Sequence, residues 1–323
     1  MIKSRFHSFF VAASVLLCVV SSVQAQGKVL LRVHLQPGQT FDQGFAMEMK
    51  ILHITSREHT DITQVTHLKV HNQVLGVDND GTMKVKVTFQ VVEMKNSEIT
   101  NGKVRSNLEY DSAKPPKEIS PDLRSTSVLV GQSVIITVLP KGKIVKVEGA
   151  DAIAQRMAAG IKSPDQRVFL TGIFKRAVES MSGQTVGMMN FAPELVAPGD
   201  SWTMSDTSPT ATSQLSSGQY TLMSIKDNIA TIAVKSTSKP NPDAPPPGKN
   251  ISDIGALGRE NGVIHVDTKS GLISDFEIHL RSSGPIPPPD KSISTQSKAA
   301  SAWTLLKIDS ESIMRGWTVQ LPR

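Results

Sequence analysis

Met83-Lys84-Val85-Lys86-Val87-Thr88-Phe89-Gln90-Val91-Val92 is the stretch that decides the fold class of this chain. Apolar residues stand at 83, 85, 87, 89 and 91, with Lys84, Lys86, Thr88 and Gln90 between them. Successive side chains of a strand point to opposite faces, so one face of this segment is apolar and the other polar or charged. That pattern belongs to an antiparallel strand with one face on a core and one in water. Asp78-Asn79-Asp80-Gly81, just before it, supplies residues that tolerate positive φ and make a tight turn.

Working outward, the same logic marks strands at 29–35, 41–55, 63–75, 128–139, 143–148, 219–225, 229–236, 263–267, 272–280 and 302–308. Lys141-Gly142 and Ser270-Gly271 are turn pairs between two such strands. One clear helix interrupts them. Ser163 is its cap, Pro164 suits the first turn, and Gln166 completes a capping box. Phe169, Ile173, Ala177 and Met181 recur at four-residue spacing, Val168, Phe174 and Val178 widen the stripe, and Gly183 reads as the stop. A shorter helix near 152–159 precedes it. An amphipathic helix among half-buried strands must lay its stripe on a sheet.

The turns repeat. Gln36-Pro37-Gly38-Gln39-Thr40-Phe41 parallels Ala197-Pro198-Gly199-Asp200-Ser201-Trp202. The segment from Asp80 to Val87 parallels that from Asp227 to Val234, and 134–144 parallels 263–273. Three matches in the same order indicate an internal duplication. The expected fold is therefore mainly β (α+β): a duplicated antiparallel meander forming a curved sheet or half-barrel, with one or two helices packed between the repeats. The expected division is a signal peptide at 1–25, a first β repeat at 26–149, a helical connection at 150–189 and a second β repeat at 190–323. Two proline-rich stretches, 239–248 and 284–290, favour extended polyproline II and read as stiff exposed loops.

The first residues carry an address. Lys3 and Arg5 lead into the apolar run 9–20, and Ser21-Ser22-Val23-Gln24-Ala25 is a small-residue exit of the kind a signal peptidase cuts after. The run is shorter than the roughly 20 residues that cross a bilayer. Export with cleavage after Ala25 is expected, to the periplasm or the extracellular space, with no transmembrane segment once the signal is removed. Cys18, the single cysteine, would leave with it. Thiolate catalysis, disulfides and cysteine-based zinc sites are then excluded from the mature chain.

The net charge of +6 at pH 7 is spread without a basic block or an aromatic platform, which argues against a nucleic-acid partner. His53, His59, His67 and His71, with Asp61 nearby, come closest to a metal constellation. His67 and His71 share a helix face only if they lie on a helix. They fall in a strand, where four residues span about 13 Å, so no metal is expected. The Asp78–Gly81 turn lacks the closing ligands of a calcium loop. Gly131-Gln132-Ser133-Val134 lacks the second glycine of a nucleophile elbow. No catalytic residue or cofactor is assigned, and the protein is expected not to be an enzyme.

Phe191-Ala192-Pro193-Glu194-Leu195-Val196, followed by Pro198-Gly199-Asp200-Ser201-Trp202, resembles the central signature of a family of exported bacterial proteins of unknown function. Leu35 to Phe41 is similar to that family's N-terminal strand and turn. Gly262 to Asp267 with Gly271 is similar to its late glycine-aspartate pattern. The resemblance implies a mainly β fold and an envelope location, and it carries no catalytic residue.

The apolar helix stripe is either core or the wall of a cavity between helix and sheet. In the second case Phe169, Ile173, Phe174, Met181 and Trp202 line an apolar pocket, and Met157, Met188 and Met189 near the helix add adaptable side chains. Two functions follow from these alternatives. One is binding or carriage of an apolar ligand such as a lipid in the envelope. The other is a structural or protein-interaction module of the envelope without a small ligand.

Overall fold

The computed structural model describes residues 27–55, 58–185, 190–206, 214–240, 257–284 and 305–320. The export signal, Met188, Met189 and most of both proline-rich stretches lie outside the described residues.

The first half of the chain forms β1 (Thr40–Thr55), β2 (His59–Val77), β3 (Met83–Thr100), β4 (Lys103–Asp111), α1 (Pro121–Val128), β5 (Ser133–Val138) and β6 (Ile144–Glu148). Helices α2 (Ala150–Ala158) and α3 (Pro164–Thr185) follow. The second half contributes β7 (Ser201–Asp206), β8 (Gln214–Lys226), β9 (Ile229–Pro240), β10 (Leu257–Asp267), β11 (Ile273–Gly284) and β12 (Leu305–Gln320).

All described strands join one open, curved antiparallel sheet in the order β6-β5-β3-β2-β1-β12-β11-β10-β9-β8-β7. The near half of β3 pairs with β5 and its far half with β4. Each half of the chain is a meander, and the halves meet where β1 runs antiparallel to β12.

The deciding stretch behaves as its alternation requires. Met83, Val85, Val87 and Phe89 are fully buried, while Lys84, Lys86 and Gln90 are exposed. The inner face continues across the sheet through Phe41, Phe45, Leu68, Val70, Ile136, Leu222, Ile232 and Ile264, which join one core.

The two Pro-Gly turns are built alike. Gly38 N donates to Val74 O and Gly199 N to Leu222 O; Gln39 N donates to Gln36 O and Asp200 N to Ala197 O. Gly38 and Gly199 both adopt positive φ, +80° and +96°. Each half also has a bulge one residue later along the receiving strand, at Leu75 and at Met223.

Several expectations need correction. Residues 29–35 alternate in burial, with Leu31, Val33 and Leu35 inside, but they are no strand. Val29 makes one bridge to Val196; then Val33 N donates to Pro140 O and His34 N to Ser270 O, both at 2.7 Å. Alternation reports which side chains are buried and is silent about who receives the backbone bonds. Residues 128–132 hold the end of α1 and a turn, and the strand begins at Ser133. Helix α1 and β4 gave no periodic signal strong enough to read, whereas β7 begins at Ser201, where the Pro-Gly turn before Trp202 places a strand. Helix α3 passes through Gly183 to Thr185, because a glycine inside a helix costs only about 1 kcal/mol. Its start is as read: Ser163 Oγ accepts from Gln166 N.

Candidate functional site

Helix-to-sheet packing falls on one side. Helix α3 lies across β1 and β2, α1 lies against β4, and α2 packs on α1 and α3. The inner face runs on beyond this layer, and the register sorts it into rows at increasing distance from the core.

The innermost row is apolar from edge to edge: Leu222, Ile232, Ile264, Phe276, Phe45 and Leu68. Gly316 sits between Phe276 and Phe45. A Cβ at Gly316 would collide with the Phe276 ring, so this position lets the two rings meet across the seam, 6.5 Å between centroids. The next row carries Val234, Ile278, Met314, Met47 and Met94, and the three methionines are half-buried. The third row mixes Leu280 and Met49 with Ser236, Glu260, Ser312, Gln64 and Asn96. The fourth holds Ser238, Ser282 and Ser310 on β9, β11 and β12, with Ser282 and Ser310 hydrogen-bonded at 2.6 Å, and Ile51 and Ile62 on β1 and β2. On β9, β11 and β12 the inner face thus grades from aromatic and aliphatic side chains to hydroxyls, while β1 stays apolar through Met47 and Met49 to Ile51.

Two groups in the third row are under electrostatic tension. Burial pushes the Glu260 carboxyl above its ordinary pKa, and the hydrogen bond from Ser236 only partly offsets this. The amide oxygen of Asn96 is buried without a hydrogen-bond partner among the described residues. Closer to the core a polar relay crosses the seam. Asn72 Nδ2 donates to Gln43 Oε1, Gln43 Nε2 to Thr318 Oγ1, and Thr318 Oγ1 to Ile273 O.

The five residues proposed to line an apolar pocket are placed as follows. Phe169 is 43% exposed on the outer side of α3. Ile173 is half-buried, and Phe174 and Met181 are half-buried against the core. Trp202 is buried on β7, at the edge of the sheet beyond β8, stacked on Tyr220 at 5.8 Å. Four of the five share α3, over β1 and β2; Trp202 lies on the far edge strand of the other half. Met157 is buried on α2. The methionines of the inner face were missed. Their signal was present in β1, where Phe41, Phe45, Met47, Met49 and Ile51 alternate with Asp42, Ala46, Glu48 and Lys50.

Of the four histidines, His59, His67 and His71 are split among separate carboxylates on the outer face, and His53 sits on β1 between Thr60 and Ile308. His67 Nδ1 lies 2.8 Å from Glu93, His71 Nδ1 2.8 Å from Asp42, and His59 3.4 Å from Asp61. Burial raises the pKa of the Asp42 carboxyl, but bonds from His71 and Lys69 outweigh it and hold the group below its ordinary range. Around the Asp78 turn, the Asp80 carboxylate is taken by Thr82 N and Oγ1. Ser133 Oγ is bonded to Thr88.

On the face opposite the core, the twisted sheet forms an open trough of 1180 Å³. It spans β2 to β9, and the side chains on its floor include Lys50, Thr63, Glu311, Arg281, Arg259 and Thr237 in one cross-strand row. None of the five pocket candidates lines it.

Residues 80–273 match a family described as a family of unknown function (DUF6263), and the chain belongs to that family. No curated protein matches the chain. Among solved structures, one titled for lipid-protein interactions in lipovitellin is similar over 90% of this chain, at 10% identity and a TM-score of 0.47. This chain spans 26% of that one. OccK7 (OpdD) of Pseudomonas aeruginosa is similar over 88% of this chain and 100% of its own, at 6% identity and a TM-score of 0.27.

Proposed function

We propose that this member of the family is an exported, non-enzymatic protein of the cell envelope that binds or carries an apolar or amphipathic ligand, a lipid, on the inner face of its curved sheet. The observation that carries the reading is the graded inner face. Its rows pass from aromatic and aliphatic side chains at the core, through Met47, Met94 and Met314, to paired hydroxyls at Ser282 and Ser310. Methionine suits chains of variable shape, because its unbranched thioether repacks at little cost. Hydroxyl and amide groups at the far rows suit a polar end, and Asn96 offers a buried acceptor there. A ligand aligned along the strands would keep its apolar part against the core and its polar part at the hydroxyl rows.

The test is native mass spectrometry of the mature chain purified from its own envelope, followed by organic extraction. A stoichiometric lipid, lost in a Met314→Asp variant that still folds, is the expected result. A clean apo mass sinks the carrier reading. It would favour the second reading, a protein-interaction module, for which the sheet offers open ends at β6 and β7 among the described residues.

A further inference from the structure

We propose that the trough on the outer face is a second binding site, for a phosphate group carried on a larger molecule. The inference does not depend on the inner-face reading, because the two surfaces lie on opposite sides of the sheet. It starts from register. Arg259 on β10 and Arg281 on β11 are directly paired across the ladder. Like charges directly opposite on neighbouring strands repel and destabilise the pair.

Arg281 is neutralised. Its Nε and Nη2 both donate to Glu311 Oε1, at 3.0 and 2.8 Å. Three other carboxylates near the floor have partners, and a fourth, Asp309, stands opposite Leu52 and Ser283. Asp61 is matched with His59 at 3.4 Å, Glu48 with Lys50 at 3.6 Å, and Glu277 takes both His279 and Arg315. Arg259 and Lys239, both lining the trough on its β9–β10 side, form no ion pair among the described residues. Among the described residues the lining sets Lys50, Lys239, Arg259 and Arg281 against Asp61 and Glu311, an excess of positive charge that includes the Arg259 guanidinium.

A guanidinium fork matches two oxygens of a phosphate and binds them with charge-assisted hydrogen bonds. The Arg281–Glu311 pair beside it holds the neighbouring guanidinium. A volume of 1180 Å³ exceeds what a free phosphate needs and lies above the roughly 300–1,000 Å³ of small-molecule pockets. The phosphate is thus one end of a larger molecule, either a soluble phosphate ester or a lipid headgroup.

The experiment uses the mature chain and two probes: glycerol 3-phosphate by calorimetric titration, and phosphatidylcholine vesicles with and without phosphatidylglycerol by co-sedimentation. Arg259→Gln is the test variant. Lys235→Gln, on the same outer face of β9 but outside the trough, removes the same charge as a control. Saturable binding to at least one probe is expected, weakened about tenfold by Arg259→Gln and less than about twofold by Lys235→Gln. Binding to the soluble ester identifies a soluble source. Binding only to the phosphatidylglycerol vesicles identifies a headgroup. No saturable binding to either probe, or equal weakening by the two variants, overturns the proposal. A lipid extracted from the inner face with no response here would leave the carrier reading standing and remove this one.

Discussion

Substituting Gly271 by alanine should destabilise the fold by about 3 kcal/mol, where the same change at Gly199 costs about 1 kcal/mol. Both glycines adopt positive φ, +70° and +96°, which an L side chain accepts only with strain. That shared strain accounts for the first kilocalorie. Their surroundings differ. A Cβ at Gly199 meets nothing within 4 Å, whereas at Gly271 it would overlap the carbonyl of Arg32 and the Cα of Val33. Both obstacles are backbone, and that backbone is pinned. His34 N bonds Ser270 O, Val33 N bonds Pro140 O, and the Arg32 guanidinium bonds the carbonyls of Ala192 and Pro193, each at 2.6 Å. Moving the segment forfeits the His34 bond, about 1 kcal/mol, and loosens Val33 in the core for about 1 kcal/mol more. Urea unfolding of the mature variants, followed by circular dichroism, reads the difference as a shift in midpoint at constant slope. Equal midpoints for the two variants would mean that the crossing segment yields without cost and that the backbone at Arg32 and Val33 is not pinned.

Asp267→Ala should cost about 1–2 kcal/mol in the same assay, since Oδ1 accepts from Lys269 N, Ser270 N and Ser270 Oγ; Asp267→Asn, which retains an oxygen acceptor, should recover most of the loss. Glu260 titrates higher when folded than when unfolded, so its contribution is neutral below the ordinary carboxyl pKa of 4.5 and turns unfavourable as pH rises through and above that value. Glu260→Gln should therefore match the parent's melting temperature in acid and exceed it at neutral pH, and a gain confined to acid would contradict the burial of this carboxyl.

What the sequence determined by itself was local. The alternation of 83–92 set the two faces of β3, because side-chain direction in a strand is a period-two property of the chain. The Pro-Gly, Lys-Gly and Ser-Gly pairs marked turns, because positive φ is a demand on one residue: Gly38, Gly142, Gly199 and Gly271 all adopt it. Ser163 capped α3 for the same local reason. The buried alternation of 29–35 was equally legible, yet its backbone partners, Pro140 and Ser270, lie in turns far along the chain. The sequence marked Phe169, Ile173, Phe174 and Met181 as one stripe, and tertiary packing turned Phe169 to solvent and Met181 to the core.

Both candidate surfaces were decided by the tertiary structure. Met47 meets Met314, and Arg281 meets both Arg259 and Glu311, only through the register of the paired strands. Register is fixed by how whole strands settle their buried faces against one another, and a one-residue slip would send every side chain to the opposite face. The grading of the inner face and the pairing of guanidinium groups in the outer trough are thus properties of the assembled sheet. No single segment of the chain contains them.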